Sequence, residues 1–245
     1  MKIGGKVHRF KSCSSTNDLA KDLAKKQAEQ GEVVVCDEQT RGKGTRRRTW
    51  YSIPGKGLYF SVILFPSRLD LSLLPLTASL AVRDAVFKEL NILISLKWPN
   101  DLMWERLKIG GILCESSFSG KKLNHSVIGI GINVRHKQID FPPELRKAAG
   151  SLEMIYQKHI DLTKLLLAVF GSMERWYRAF NRNEDPKILR KYLEASYFCI
   201  GDELMVESEG SSFLGFFRGL DSKGRILLDI NGKKRRFLSG EIRVK

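Results

Sequence analysis

The stretch from Arg41 to Trp50 reads RGKGTRRRTW and constrains this chain more than any other. Five of its first eight residues are cationic: Arg41, Lys43, Arg46, Arg47 and Arg48, with Gly42 and Gly44 among them. A segment like this folds reluctantly against an apolar core. Its charges need water or an anion, and its glycines permit tight, backbone-exposing conformations. Alone, it is well explained as a solvated basic loop. Its flanks shift that balance, because GEVVVCDEQ before it and LYFSVILF after it both have the pattern of strands. A charged, glycine-bearing loop held between two core strands is a good grip for a phosphate-bearing ligand.

The size, 245 residues, suits one large domain or one plus a small module. The net charge of +15 favours an acidic partner, whether nucleic acid, nucleotide or protein, although a solvated cationic surface gives the same sum. The four cysteines, Cys13, Cys36, Cys114 and Cys199, form no CxxC pair and sit beside apolar residues. They are expected as reduced, buried thiols in a reducing compartment. The N-terminus lacks the apolar core of a signal peptide, and no apolar run approaches the roughly 20 residues of a membrane helix. A cytoplasmic location is expected.

Hydrophobic spacing predicts a short strand at 6–10 and an amphipathic helix after Ser15-Thr16-Asn17, with caps from that cluster and a stop at Gly31. Strands follow at 32–37 and 57–65. Residues 71–90 read as a helix with Leu73, Leu76, Leu80 and Val86 inward and Pro75 in its first turn. Residues 91–134 read as four strands, the last three an antiparallel meander. A helix covers 161–180, and Asp185 caps another with Pro186 at its first position. From 198 the pattern changes to four short strands separated by turns at 209–212, 221–224 and Asn231-Gly232, the last a strong hairpin signal. That tail suggests a small barrel, dividing the chain into domains 1–197 and 198–245. The tail holds nine Lys/Arg against seven Asp/Glu, so +13 of the charge lies on 1–197.

Three further pieces carry chemistry. Lys97-Trp98-Pro99-Asn100-Asp101 ends an apolar strand, and Pro99 breaks strand pairing, presenting Asn100 and Asp101 to a ligand or a metal ion or simply making a turn. Lys108 opens the apolar strand that continues Ile109-Gly110-Gly111-Ile112-Leu113; pointed inward, its ammonium needs an anion, and Gly111 lets a ligand approach the backbone. Gly129-Ile130-Gly131-Ile132-Asn133 leaves one sheet face bare, and Asn133 carries an amide able to read a base edge. Together with the cationic loop, these are what activation of a carboxylate by ATP requires. Negative charge crowds into that transition state, and Arg, Lys and Mg²⁺ neutralise it. The histidines have no metal spacing, and no GxxxxGK[ST] loop is present.

These residues resemble the biotin protein ligases over nearly the whole chain. The match includes Ser15-Thr16-Asn17, Gln39 leading into the loop, KWPND at 97–101, KxxGIL at 108–113, GIGINV at 129–134 and FRGLDSKGRILL in the tail. The resemblance implies an α+β fold: a class II aminoacyl-tRNA synthetase-like mixed sheet flanked by helices, plus an SH3-like C-terminal barrel. It implies that biotin and ATP give biotinyl-5′-adenylate, which a lysine of a biotin carboxyl carrier protein then attacks. Biotin binding falls to Ser15, Thr16, Asn17, Gln39, Gly42, Lys43, Gly44, Thr45, Lys108 and Gly111. ATP binding falls to Arg46, Arg48, Trp50, Asn100, Asp101 and Asn133, with Mg²⁺ at Asp101. Lys108, Arg46 and Arg48 take the catalytic roles. A homodimer is carried over as well.

The chain departs from the family at two places. The family loop usually reads GRGRRGRxW and here reads GKGTRRRTW. Lys43 keeps charge without a bidentate fork, Thr45 replaces an arginine that helps retain the adenylate, and Arg47 replaces a glycine and partly restores the charge. About fourteen residues precede Ser15, so the winged-helix DNA-binding domain that some members carry is not expected here. Two other readings stay open: a lipoate or octanoate ligase on the same fold, and a basic nucleic-acid-binding protein whose binding would be salt-sensitive and independent of ATP.

Overall fold

A computed structural model of the chain describes residues 2–208 and 210–244, with the backbone but not the side chain of Arg47. The elements run β1 (Val7–Cys13), α1 (Thr16–Lys25), β2 (Val33–Gln39), β3 (Gly57–Leu64), α2 (Leu74–Leu90), β4 (Ser95–Lys97), β5 (Asp101–Trp104), β6 (Leu107–Ser119) and β7 (Lys122–Asn133). After these come α3 (Leu152–Tyr156), α4 (Leu162–Asn181), α5 (Asp185–Glu194), and then β8 (Glu203–Ser208), β9 (Ser211–Leu220), β10 (Ile226–Ile230), β11 (Lys233–Phe237) and β12 (Glu241–Val244). No helix among the described residues is long and apolar enough to cross a membrane.

Every residue of β3 is buried. Such a strand needs cover on both faces, and side-chain alternation divides that cover. Leu58, Phe60, Val62 and Leu64 join Ile128, Ile130 and Ile132 beneath α2 and α4. Phe60 meets Phe170 of α4 edge-on at 5.7 Å, and burying a ring of this kind contributes roughly 2–3 kcal/mol. On the other face, Val34, Ile63 and Val127 pack on Ala20 and Ala24 of α1. The small alanines let α1 lie close to the sheet, but α1 covers only one end of that face. The remainder of that face, at Gly129 and Gly131, has no side chain of its own strand.

The main sheet has seven strands in the order β1-β2-β3-β7-β6-β5-β4. Only β1 and β2 are parallel, joined across α1. The meander expected for β5–β7 is present, and the register places Lys97 opposite Asp101, Asp101 opposite Gly111 and Gly111 opposite Gly131. Five strands, not four, make the C-terminal sheet, in the order β11-β10-β9-β8-β12. The Asn231-Gly232 turn is as expected, both residues having positive φ. Glu209, at the start of the turn expected over 209–212, lies outside the described residues.

Several local expectations are corrected. The first helix ends at Lys25, well before Gly31, so Gly31 is not its stop; its φ of 87° instead serves a contact with residues 2 and 3 that a Cβ would block. Ser15 holds the N-cap position without a side-chain capping bond. Asp185 lies inside α5, whose N-cap is Glu184, and its carboxylate is bound to Arg68 at 2.6 Å. The short α3 was not anticipated. All four cysteines are free, but only Cys36 is buried; Cys13 and Cys114 are intermediate and Cys199 is exposed.

Where β2 begins, Glu32 is 3% exposed and accepts hydrogen bonds from the Glu29 backbone N–H, Lys6 Nζ and His8 Nε2 at 2.9, 3.1 and 2.8 Å. Burial pushes its carboxyl up, but these donors outweigh burial and pull it down to about 2. The folded pKa is depressed, so the stabilisation is complete above the unfolded value and fades as pH falls toward 2. Glu32→Gln is expected to lose up to about 3 kcal/mol at pH 7. In urea denaturation, the gap to wild type should close between about pH 5 and pH 2. A gap that stays constant with pH would show that ionisation of Glu32 is not the cause.

Candidate active site

The floor of the site is the face of β7 that carries Gly129, Gly131 and Asn133, with Gly111 of β6 beside Gly131. Alternate residues share this face, about 7 Å apart along the strand. A Cβ on Gly129 would lie 2.2 Å from Asn17 Oδ1, and one on Gly131 would lie 2.5 Å from the Trp50 indole. The bare face is therefore overlaid by two side chains delivered from elsewhere, Asn17 from α1 and Trp50 from the loop. The Trp50 Nε1 is buried and has no partner among the described residues.

At the Gly129 end, polar side chains converge. Thr16 and Asn17 are each 3% exposed. The Thr16 N–H and hydroxyl donate to Gln39 Oε1 at 2.8 and 3.0 Å. The Ser61 hydroxyl is 2.6 Å from Asn17 Oδ1 and 2.8 Å from Thr16 Oγ1, with one proton to donate. The Asn17 amide donates to Glu115 at 2.7 Å, which also holds Lys21 at 2.9 Å. Burial pushes the Glu115 carboxyl up, and the Asn17 and Lys21 bonds overcome that and hold it below its usual range. The Ser-Thr-Asn cluster thus does more than cap a helix. Through Thr16 and Asn17 it is tied to β2, β3 and β6.

The loop at 41–50 is a small hairpin. Trp50 N–H donates to Gly42 O, Gly44 N–H donates to Arg48 O, and Lys43 pairs with Thr49. A Cβ on Gly42 would meet Trp50 O at 2.5 Å, so glycine is required there. Thr45–Arg47 makes a 3-10 turn at the tip, with Arg46 at φ 57°. At its base Lys43 binds Asp18 at 2.6 Å. Burial pushes the Asp18 carboxyl up, but hydrogen bonds from Lys43 and Lys21 bring it below its usual value. Toward its tip the loop reaches the C-terminal sheet: Arg46 donates to Glu207 O at 3.2 Å, and Arg48 to Glu241 at 3.1 Å. The side chain of Arg47 lies outside the described residues. The Thr45 hydroxyl makes no hydrogen bond among them.

Lys108 enters from β6, and the anionic partner its position demands is Asp101, 2.5 Å away. Its Nζ is 5.9 Å from the Trp50 ring, so Lys108, Trp50, Gly111 and Asp101 form one cluster. The neighbouring Asn100 turns its amide onto Ile112 O at 2.9 Å and anchors β6. Asn133 is buried, and its amide donates to Gly150 O at 3.1 Å. Gly150 N–H in turn donates to Lys108 O, tying the segment around 148–150 to the site. No three His, Cys, Asp or Glu side chains among the described residues come together as a metal cluster.

Residues 9–133 match the model of the biotin/lipoate A/B protein ligase family. The bifunctional ligase/repressor BirA of Bacillus subtilis (strain 168) is 34% identical over 94% of this chain and 71% of its own length. The chain belongs to the biotin/lipoate A/B protein ligase family. Among solved structures, biotin protein ligase from Aquifex aeolicus in complex with biotin and ATP superposes with a TM-score of 0.86, at 29% identity, covering 98% of this chain and 100% of that one. A biotin--[acetyl-CoA-carboxylase] ligase of Mycobacterium tuberculosis is 27% identical over 83% of this chain and 75% of its own length. The chain is a ligase, and its mixed α+β fold is that of the biotin protein ligases.

Within this family frame, the structure brings together residues that sequence reasoning did not single out. Ser61 is buried in the otherwise apolar LYFSVILF strand, and that break in hydrophobicity was its signal. Glu115 and Asp18 complete the Asn17 and Lys43 contacts. Glu241, which meets Arg48, had no local signal at all. Ser15, Thr16, Asn17 and Gln39 cluster at one end of the floor, Lys108, Gly111, Trp50 and Asp101 at its middle, and Asn133 beyond.

Proposed function

We propose that this ligase activates biotin with ATP and transfers the biotinyl group to a lysine of a biotin carboxyl carrier protein. The observation that carries the reading is the ordered row on the glycine floor: a polar cluster at Asn17, an indole at Trp50, then Lys108. Biotin fits the first part, where Thr16, Asn17, Gln39 and Ser61 offer donors and acceptors to its ring. Its carboxylate then lies toward Lys108. One carboxylate oxygen attacks the α-phosphorus of ATP, the bond to the bridging oxygen breaks, and pyrophosphate leaves. The Lys108 ammonium, exchanging Asp101 for the reacting phosphate, stabilises the charge that develops. Arg46 and Arg48 close from above, and Asn133 faces the adenosine. In the second step the neutral amine of the acceptor lysine attacks the acyl carbon. AMP departs with the electron pair of the broken C–O bond, and the amine's proton passes to solvent.

Mg²⁺ suits this chemistry, supplying charge neutralisation at the phosphates. Asp101 would hold it, since Mg²⁺ at nucleotide sites needs only one or two protein carboxylates. The same reading makes 1–197 the catalytic domain, related to the class II synthetases, and 198–245 an SH3-like module. The excess positive charge would steer an acidic carrier domain toward the site.

ATP–pyrophosphate exchange measured with biotin, with lipoate and with neither tests the reading. Exchange that depends on biotin is expected. Exchange with lipoate alone would transfer the chain to the other branch of its family, and exchange with neither would remove the activity altogether.

A further inference from the structure

Lys97 lies in one cross-strand row with the site. The register runs Lys97, Asp101, Gly111, Gly131, and residues directly opposite one another share a face of the sheet. Adjacent strands are about 4.8 Å apart, so Lys97 flanks Asp101 on the side away from the glycine floor. Asp101 gives its carboxylate to Lys108 at 2.5 Å. Lys97 has no carboxylate within ion-pair distance among the described residues; its nearest described partner is the Tyr197 ring, 5.8 Å from Nζ. It is partly buried all the same. Burial pushes its ammonium pKa down, with Lys108 and Arg243 adding to that effect and Asp101 and Glu241 opposing it.

A cation held in this way, with further cations on each side, leaves positive potential unmatched. An anion of one charge would be matched by Lys108 alone. One that extends outward along the row, past Asp101, meets Lys108 first and Lys97 next, and Arg243, which pairs with Glu241 as Arg48 does, adds its charge at Lys97. We propose that Lys97 is a further catalytic residue of the adenylation step, binding the pyrophosphate group of ATP and taking up the charge as it leaves. This rests on the activity proposed above. The reacting phosphate is held at Lys108. As the α-phosphorus–oxygen bond breaks, the electron pair goes to the pyrophosphate oxygen next to Lys97.

The test is biotin-dependent ATP–pyrophosphate exchange with Lys97→Met, which keeps an unbranched apolar side chain at this position and removes the charge. The KM for pyrophosphate should rise about tenfold or more, as loss of a charge-assisted hydrogen bond requires. The Kd for biotin should stay within about twofold, and Lys97→Arg should recover most of the loss. An unchanged KM for pyrophosphate overturns the proposal, and so does parallel loss of biotin binding, which would mark a structural role. A second measurement uses the wild-type chain. Lysines are acetylated with sulfo-N-hydroxysuccinimidyl acetate, with and without pyrophosphate, and located by mass spectrometry. Pyrophosphate should protect Lys97; equal labelling overturns the proposal even if the variant fails to fold. Absence of exchange in the wild type would instead count against biotin activation, and the footprint would still report on Lys97.

Discussion

Lys108→Ala loses biotin-dependent pyrophosphate exchange by about two to three orders of magnitude, the usual cost of deleting one preorganised charge at a transition state. The fold should survive. Lys108 is 37% exposed and its Asp101 partner 27% exposed, so their ion pair contributes about 1 kcal/mol or less. The backbone at 108 keeps its bonds to Ala148 and Gly150 in any variant. Biotin affinity should fall less than the rate, because only the carboxylate end of biotin lies toward the lysine, while the ring end is left to Thr16, Asn17, Gln39 and Ser61, which hydrogen-bond among themselves. Circular dichroism melting, biotin titration and exchange kinetics on the same preparation separate these quantities. Exchange within about tenfold of wild type would remove Lys108 from the chemistry.

The second large effect concerns the loop. Incubated with biotin, ATP and a lysine-rich protein that is not its acceptor, the wild-type enzyme should label the bystander, and Thr45→Arg should reduce that labelling by about tenfold, or about 1.4 kcal/mol of extra hold on the adenylate. The reason lies in where the loop's cations are committed. Lys43 is bound to Asp18 at the base, and Arg46 and Arg48 reach Glu207 and Glu241 of the C-terminal sheet. Thr45 sits at the tip, where the resemblance to the family leads one to expect an arginine. A guanidinium there would offer a bidentate hold on phosphate that a hydroxyl cannot. Anti-biotin blotting after a fixed interval reads both proteins, and an unlabelled bystander with wild type would mean that the lid retains its intermediate without Arg at 45.

Much of this site was legible because it is written in local patterns. A short continuous apolar run located β3, and the glycines of 129 and 131 marked a face that no side chain of its own strand could cover. Lys108, a charge at the start of an apolar strand, called for an anion only if it pointed inward; it is 37% exposed and pairs with Asp101. What could not be read was the set of contacts that depend on register or on distant folding. Ser61 meets Asn17 across 44 residues, and Arg48 meets Glu241 across 193. Lys97 joins the row with Gly131 only through the register of four strands. The caps failed for a related reason. Asp185 has the composition of a helix cap, but a salt bridge to Arg68 from another part of the chain claims its carboxylate.

The indole N–H of Trp98, in the KWPND strand end, donates to Gly224 O at 2.8 Å, in the turn between β9 and β10. Arg48 crosses to Glu241 a short way off. Anyone seeking a minimal version of this protein as a labelling tool would be tempted to stop at residue 197. Such a truncation would leave the Trp98 donor without its acceptor and return the arginines of the loop to open water. The last strands of the chain are part of the doorway, and a shortened tool has to be trimmed elsewhere.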